Sequence, residues 1–119
     1  LFNDNKISGV IDFSFSCNDF LSYDLSICIN AWCFRDGEFD ISLSKNLLNG
    51  YQKIRELNKE ELKQLPILCS GSALRFLLTR LADWKVSNGD AMVTPKNPDE
   101  FVKILDFHKD INNSQDYGA

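Results

Sequence analysis

Apolar and polar positions along this chain follow two periods, and the change from one to the other marks out the elements. The start carries the short period: Leu1-Phe2, a polar Asn3-Asp4-Asn5, then Lys6-Ile7 and Ser8-Gly9-Val10-Ile11. Asn and Asp tolerate the positive φ of tight hairpin turns, so this reads as strand, turn, strand. The second strand, Ser8 to Ile11, stops at Asp12. From Phe20 the period lengthens. Leu21, Leu25, Cys28, Ile29 and Trp32 share one face of a helix over about 20–34, capped by Asn18-Asp19 and stopped by Arg35-Asp36-Gly37. A second helix, capped by Asp40 or Ser42 and running to about Leu57, has the stripe Leu43, Leu47, Leu48, Tyr51 and Ile54.

Asn58 with Glu61 has the form of a capping box and opens a short helix. Pro66 then starts or kinks a long one, to about Lys85. That helix carries Ile67, Leu74, Leu77, Leu78, Leu81 and Trp84, is the most apolar element, and is expected at the centre. Ser87–Lys96 reads as a loop. Asn97-Pro98-Asp99-Glu100 starts a last helix, with Phe101, Ile104, Leu105 and His108 inward. The polar tail, 112–119, is expected to fray. The pattern predicts an α+β, mainly α chain: a short β-hairpin followed by four to five packed helices, one domain over 1–111.

Composition narrows the classes. The chain has 119 residues, enough for one core, with 44% hydrophobic and 25% charged residues. A net charge of −4 with dispersed Lys and Arg lacks the basic stripe of a nucleic-acid partner. No apolar run reaches ~18 residues, so no membrane partner is expected, and no signal peptide is visible. The cysteines, Cys17, Cys28, Cys33 and Cys69, form no Cys-x-x-Cys pair, and His108 is the only histidine, which disfavours zinc. They read as small buried hydrophobes in a reducing cytoplasmic compartment.

Asp12 is the residue with the most chemistry. A carboxylate at a strand end is held on a rigid element while facing a cleft, and Mg²⁺ takes oxygen ligands of that kind, sharing them with substrate phosphates. The plainer reading is a turn carboxylate. Both stand on the spacing alone.

Further stretches carry a resemblance. Gly9-Val10-Ile11-Asp12-Phe13, followed by Tyr23-Asp24-Leu25 at a helix head, resembles the aminoglycoside-phosphotransferase and choline-kinase group, whose members share the protein-kinase-like fold. Asn30-Ala-Trp-Cys33, Ala73-Leu-Arg-Phe-Leu-Leu-Thr-Arg-Leu-Ala-Asp-Trp84 and Val93-Thr-Pro-Lys-Asn-Pro98 are most similar to its homoserine-kinase branch, of threonine biosynthesis. The resemblance implies the C-terminal lobe of such a fold and ATP-dependent phosphorylation of the L-homoserine hydroxyl. It also implies Asp12 as the ligand of Mg²⁺ on ATP, and Asp24 as a brace for the catalytic loop.

The group's His-x-Asp loop and its metal-binding Asn are expected before Leu1, together with the N-terminal lobe. Asn5 superficially resembles that Asn but reads as the hairpin turn. The chain alone is then expected to be inactive, with an apolar face where those parts dock. For the substrate carboxylate the resemblance directs attention to Arg75 and Arg80, charged groups within the most apolar helix; Arg80 could instead pair with Asp83 or stack on Trp84. Trp32 flanks the expected cleft. The alternatives are a related small-molecule kinase for an aminoglycoside, choline or a sugar, and a non-catalytic helical interaction domain.

Overall fold

The computed structural model describes residues 1–86 and 96–119. The Val93–Lys96 part of the last motif and the expected loop at 87–96 lie outside the described residues, apart from Lys96.

The chain opens on a hairpin of two two-residue strands, β1 (Phe2–Asn3) and β2 (Lys6–Ile7), paired antiparallel with Phe2 opposite Ile7. Asp4 and Asn5 make the turn, both with positive φ (48° and 60°), as Asn3–Asn5 predicted. The strand expected at Ser8–Ile11 is not there. The ladder ends where Ser8 N–H donates to the carbonyl of Leu1 at 3.0 Å. From Gly9 to Phe20 the chain runs without helix or strand and almost wholly exposed.

Helix α1 (Leu21–Trp32) follows. Its inner face is rotated from the expected one. Leu25 and Ile29 are buried as predicted, but Leu21 and Trp32 are exposed, and Ser22, Ser26 and Asn30 are buried instead. The apolar stripe did not register that three small polar residues could be satisfied inside. A second hairpin, β3 (Phe34–Arg35) and β4 (Glu38–Phe39), turns on Asp36 and Gly37, whose φ of 53° and 86° belong to the left-handed region. The Arg35-Asp36-Gly37 stop was therefore also a hairpin turn.

Helix α2 (Ile41–Gln52) is capped by Asp40, which accepts from the N–H groups of Ser42 (2.9 Å) and Leu43 (3.1 Å). It ends earlier than Leu57 and leaves Ile54 exposed.

One helix, α3 (Lys59–Val86), replaces the two expected. The capping box forms reciprocally: Asn58 Oδ1 accepts from Glu61 N–H at 2.9 Å and Glu61 Oε2 from Asn58 N–H at 3.0 Å. Pro66 neither starts nor breaks the helix, because Leu65 and Cys69 anchor the turns around it in the core. With ~1.5 Å rise per residue, its 28 residues run for most of the 47 Å length of the molecule.

α3 is central, as predicted, and packs against α1 and the last helix, α4 (Asp99–Lys109). Most of its predicted stripe is not the inner face: Ile67, Leu74, Leu78, Leu81 and Trp84 are exposed, Leu77 alone packs against the cluster of Ala73, Phe101 and Ile104, and Leu65, Cys69, Ser72 and Ala73 are buried. Small residues allow the close helix approach that leucines would block. By length and apolarity alone Lys59–Lys85 could cross a membrane. It packs against α1 and α4 and carries part of a buried polar network.

α4 buries Phe101, Ile104 and His108 as expected. The tail does not fray. Ser114–Tyr117 forms a turn of 3₁₀ helix that plants Tyr117, fully buried, in the main core with Leu25, Ile29, Leu48, Leu65 and Cys69. A polar-looking segment is thus tied down by one aromatic residue.

Candidate active site

Asp12 sits in the exposed run that links the first hairpin to α1, five residues past β2, rather than at a strand end. Its φ is +66°, a left-handed conformation that Asp tolerates better than most residues. Asx-turn bonding holds it there: Asp12 Oδ1 accepts from the Ser14 backbone N–H at 3.4 Å and from the Ser14 hydroxyl. Those two bonds, the hydroxyl first, lower the Asp12 pKa below the ordinary carboxylate value, so it is ionised at neutral pH. Oδ2 has no hydrogen-bond partner among the described residues, and no cation pairs with the group.

An ionised, solvent-facing carboxylate oxygen without a partner fits a hard cation that completes its shell with phosphate and water oxygens. Among the described residues no group of three or more His, Cys, Asp or Glu comes together, so Asp12 would be one ligand rather than a cage.

The other candidates separate. Asp24 lies in the first turn of α1, exposed, near where the chain arrives from Asp12. Trp32 is at the far end of that helix, eight residues or about 12 Å along the axis from Asp24. It is 60% exposed, and the structure does not bring the two together. The arginines of α3 differ more sharply. Arg80 does not pair with Asp83. Its guanidinium donates to Glu100 at 2.6 Å and to the Asn97 carbonyl at 3.2 Å, and lies 4.3 Å from the Phe101 ring centre, so it fastens the start of α4 to α3. Arg75 is exposed, lies 5.1 Å from the Phe76 ring centre, and has no ion pair among the described residues.

Behind these residues is a buried polar chain that the sequence only hinted at. Asn30 Nδ2 donates to the Cys69 carbonyl (2.9 Å) and to Ser72 Oγ (2.8 Å), which uses both of its protons. Asn30 Oδ1 must therefore accept, and His108 Nε2, 2.7 Å away, donates. The His108 Nδ1 that remains accepts from the Tyr117 hydroxyl at 2.8 Å. Ser26 Oγ donates to the Tyr23 carbonyl at 2.6 Å and lies 3.2 Å from Ser72 Oγ. Burial pushes the His108 pKa down to about 4, so the ring is neutral at pH 7. His108 is thus buried in the packing, with both ring nitrogens hydrogen-bonded. All four cysteines are free; burial pushes the Cys33 thiol up to about 11 and the Cys69 thiol up to about 12.

The class follows from comparison with known proteins. Residues 1–57, which hold Asp12, Asp24 and α1, match the model of the phosphotransferase enzyme family. Within it the chain is similar to homoserine kinases. It is 50% identical over 99% of its length to the homoserine kinase of Allorhizobium ampelinum and equally so to that of Agrobacterium fabrum, covering 39% of each. To that of Bradyrhizobium diazoefficiens it is 48% identical over 99%, covering 38%. The resemblance read from the motifs, and the mainly helical kinase-like fold it implied, are borne out. The chain spans about two fifths of the length of the curated relatives it matches.

Proposed function

We propose that this chain serves in a homoserine kinase, an enzyme that transfers the γ-phosphoryl group of ATP to the hydroxyl of L-homoserine, giving O-phosphohomoserine and ADP. The observation that carries this is the 50% identity to homoserine kinases along 99% of the chain, with an ionised, accessible carboxylate at Asp12 inside the matched phosphotransferase segment. Mg²⁺, held in part by Asp12, would neutralise charge on the phosphate oxygens.

Within that reaction the residues of this chain position and hold. The Ser14 bonds fix the Asp12 carboxylate and keep it ionised. Asp24, in the first turn of α1, braces the catalytic loop, which belongs to the preceding part of the longer enzyme. That part also supplies the group that orients the attacking hydroxyl. The hydroxyl oxygen forms the new O–P bond, the bond to the ADP oxygen breaks, and the hydroxyl proton leaves to that group. The same part would cover apolar residues left exposed along this segment, among them Val10, Ile11, Phe13, Phe15 and Phe20.

The test is an ATP-consumption screen of the full-length enzyme across L-homoserine, aminoglycosides, choline and sugars. L-homoserine is expected as the best acceptor by a wide margin. A better signal from any of the others would move the assignment within the phosphotransferase family.

A further inference from the structure

We infer that Arg75 is the specificity-determining residue that takes the substrate's carboxylate, an inference that rests on reading the chain as part of a homoserine kinase. A kinase for an amino acid needs a cation for the carboxylate, and guanidinium is the side chain that can meet both oxygens at once. α3 offers two. Arg80 is spent: its side chain is 16% exposed, bonded to Glu100 and Asn97, and closed over Phe101. Arg75 keeps its hydrogen-bonding edge unclaimed by any acid among the described residues.

Its placement fits. The Ser26–Ser72 and Asn30–Cys69 bonds set α1 and α3 antiparallel. Arg75 lies three residues past Ser72, and Tyr23 three before Ser26, so both sit about 4.5 Å further along the shared axis. Arg75 is therefore level with the first turn of α1, which holds Asp24 and receives the chain from Asp12. It is also supported on one side. Arg75 lies against Phe76, Phe76 stacks on Phe101 (5.5 Å, 16°), and Arg80 closes the far side of Phe101. A guanidinium propped on a pinned aromatic stack loses little freedom on binding a carboxylate, which is the economy of a preorganised site.

The experiment compares wild type with Arg75→Ala, Arg75→Gln and Arg75→Lys in the full-length enzyme. The acceptors are L-homoserine and 3-aminopropan-1-ol, the same molecule without its carboxylate. Arg75→Ala and Arg75→Gln are expected to raise the KM for L-homoserine about 10- to 100-fold, the worth of a charge-assisted hydrogen-bonded pair. The KM for ATP stays within about twofold, kcat/KM for 3-aminopropan-1-ol is unchanged, and Arg75→Lys falls between. A lowered thermal midpoint with an unchanged homoserine KM would overturn the assignment in favour of a packing role against Phe76. Equal losses on both acceptors would overturn it too. Either result leaves the homoserine-kinase reading standing. Wild type that ignores L-homoserine while phosphorylating another acceptor would instead overturn that reading, and Arg75's role with it.

Discussion

The residues from Gly9 to Phe20 and the helices that follow solve opposite problems. The helical part closes its accounts: Asn30, His108, Tyr117, Ser72 and Ser26 are each buried or partnered through a chain of side-chain bonds that joins α1, α3, α4 and the C-terminal turn. The Asp12 segment has no strand or helix, exposes its phenylalanines, and is shaped by little beyond the Ser14 bonds. The contrast teaches where chemistry sits in such a molecule. A rigid network supplies the platform, and Asp12, the proposed metal ligand, is carried on a segment with few contacts of its own, as low-stability segments are.

The largest expected effect breaks the comparison on the chemical side. In the full-length enzyme, Asp12→Asn should lower phosphoryl transfer by at least about 100-fold, since even residues that only support a metal ligand cost 10–100-fold. Its thermal midpoint should stay near wild type, because Asp12 packs against nothing buried. A normal rate in steady-state assays would remove Asp12 from the mechanism. On the structural side, His108→Phe strands Asn30 Oδ1 in the core and takes the ring acceptor from the Tyr117 hydroxyl, and should cost about 3 kcal/mol by denaturant unfolding. A loss under half a kcal/mol would mean that the network is incidental.

Acid sharpens the same point. His108 has a folded pKa of about 4 against about 6.5 when unfolded. Above pH 6.5 the ring is neutral in both states and the stability is intact. As pH falls from 6.5 to 4 the unfolded state takes up the proton first, and stability drops by about 3 kcal/mol. That slope should be absent from unfolding curves of His108→Phe. The smallest effect is local: Asp40→Ala removes the α2 cap and should cost about 1 kcal/mol, with catalysis unaffected.

Much of the fold was legible because local chemistry decided it. Asp4-Asn5 at the hairpin, Asp40 at the start of α2 and the Asn58–Glu61 box each act within a few residues, and each formed as read. The inner faces were harder. The apolar stripe of α3 pointed outward, because the helices approach through Cys69, Ser72 and Ala73, and that preference depends on what lies opposite. Tyr117 shows the same limit: a single aromatic in a polar tail gives no period, and its value lies in reaching His108 across the turn. At the site, Asp12 was legible as a carboxylate among short-period residues, but its supporting strand was not real. What fixes it is Ser14, two positions on, a contact too common in turns to read as a signal. The separation of Arg75 from Arg80 needed Glu100 and Phe101, which only the packing of α4 onto α3 brings near.

The most direct measurement is calorimetric titration of ATP into the full-length enzyme, wild type and Asp12→Asn, with and without Mg²⁺. If Asp12 grips the metal on the nucleotide, wild type binds ATP more tightly with Mg²⁺ than without, and the substitution erases that gain while leaving metal-free binding unchanged. An equal Mg²⁺ gain in both proteins would contradict the account.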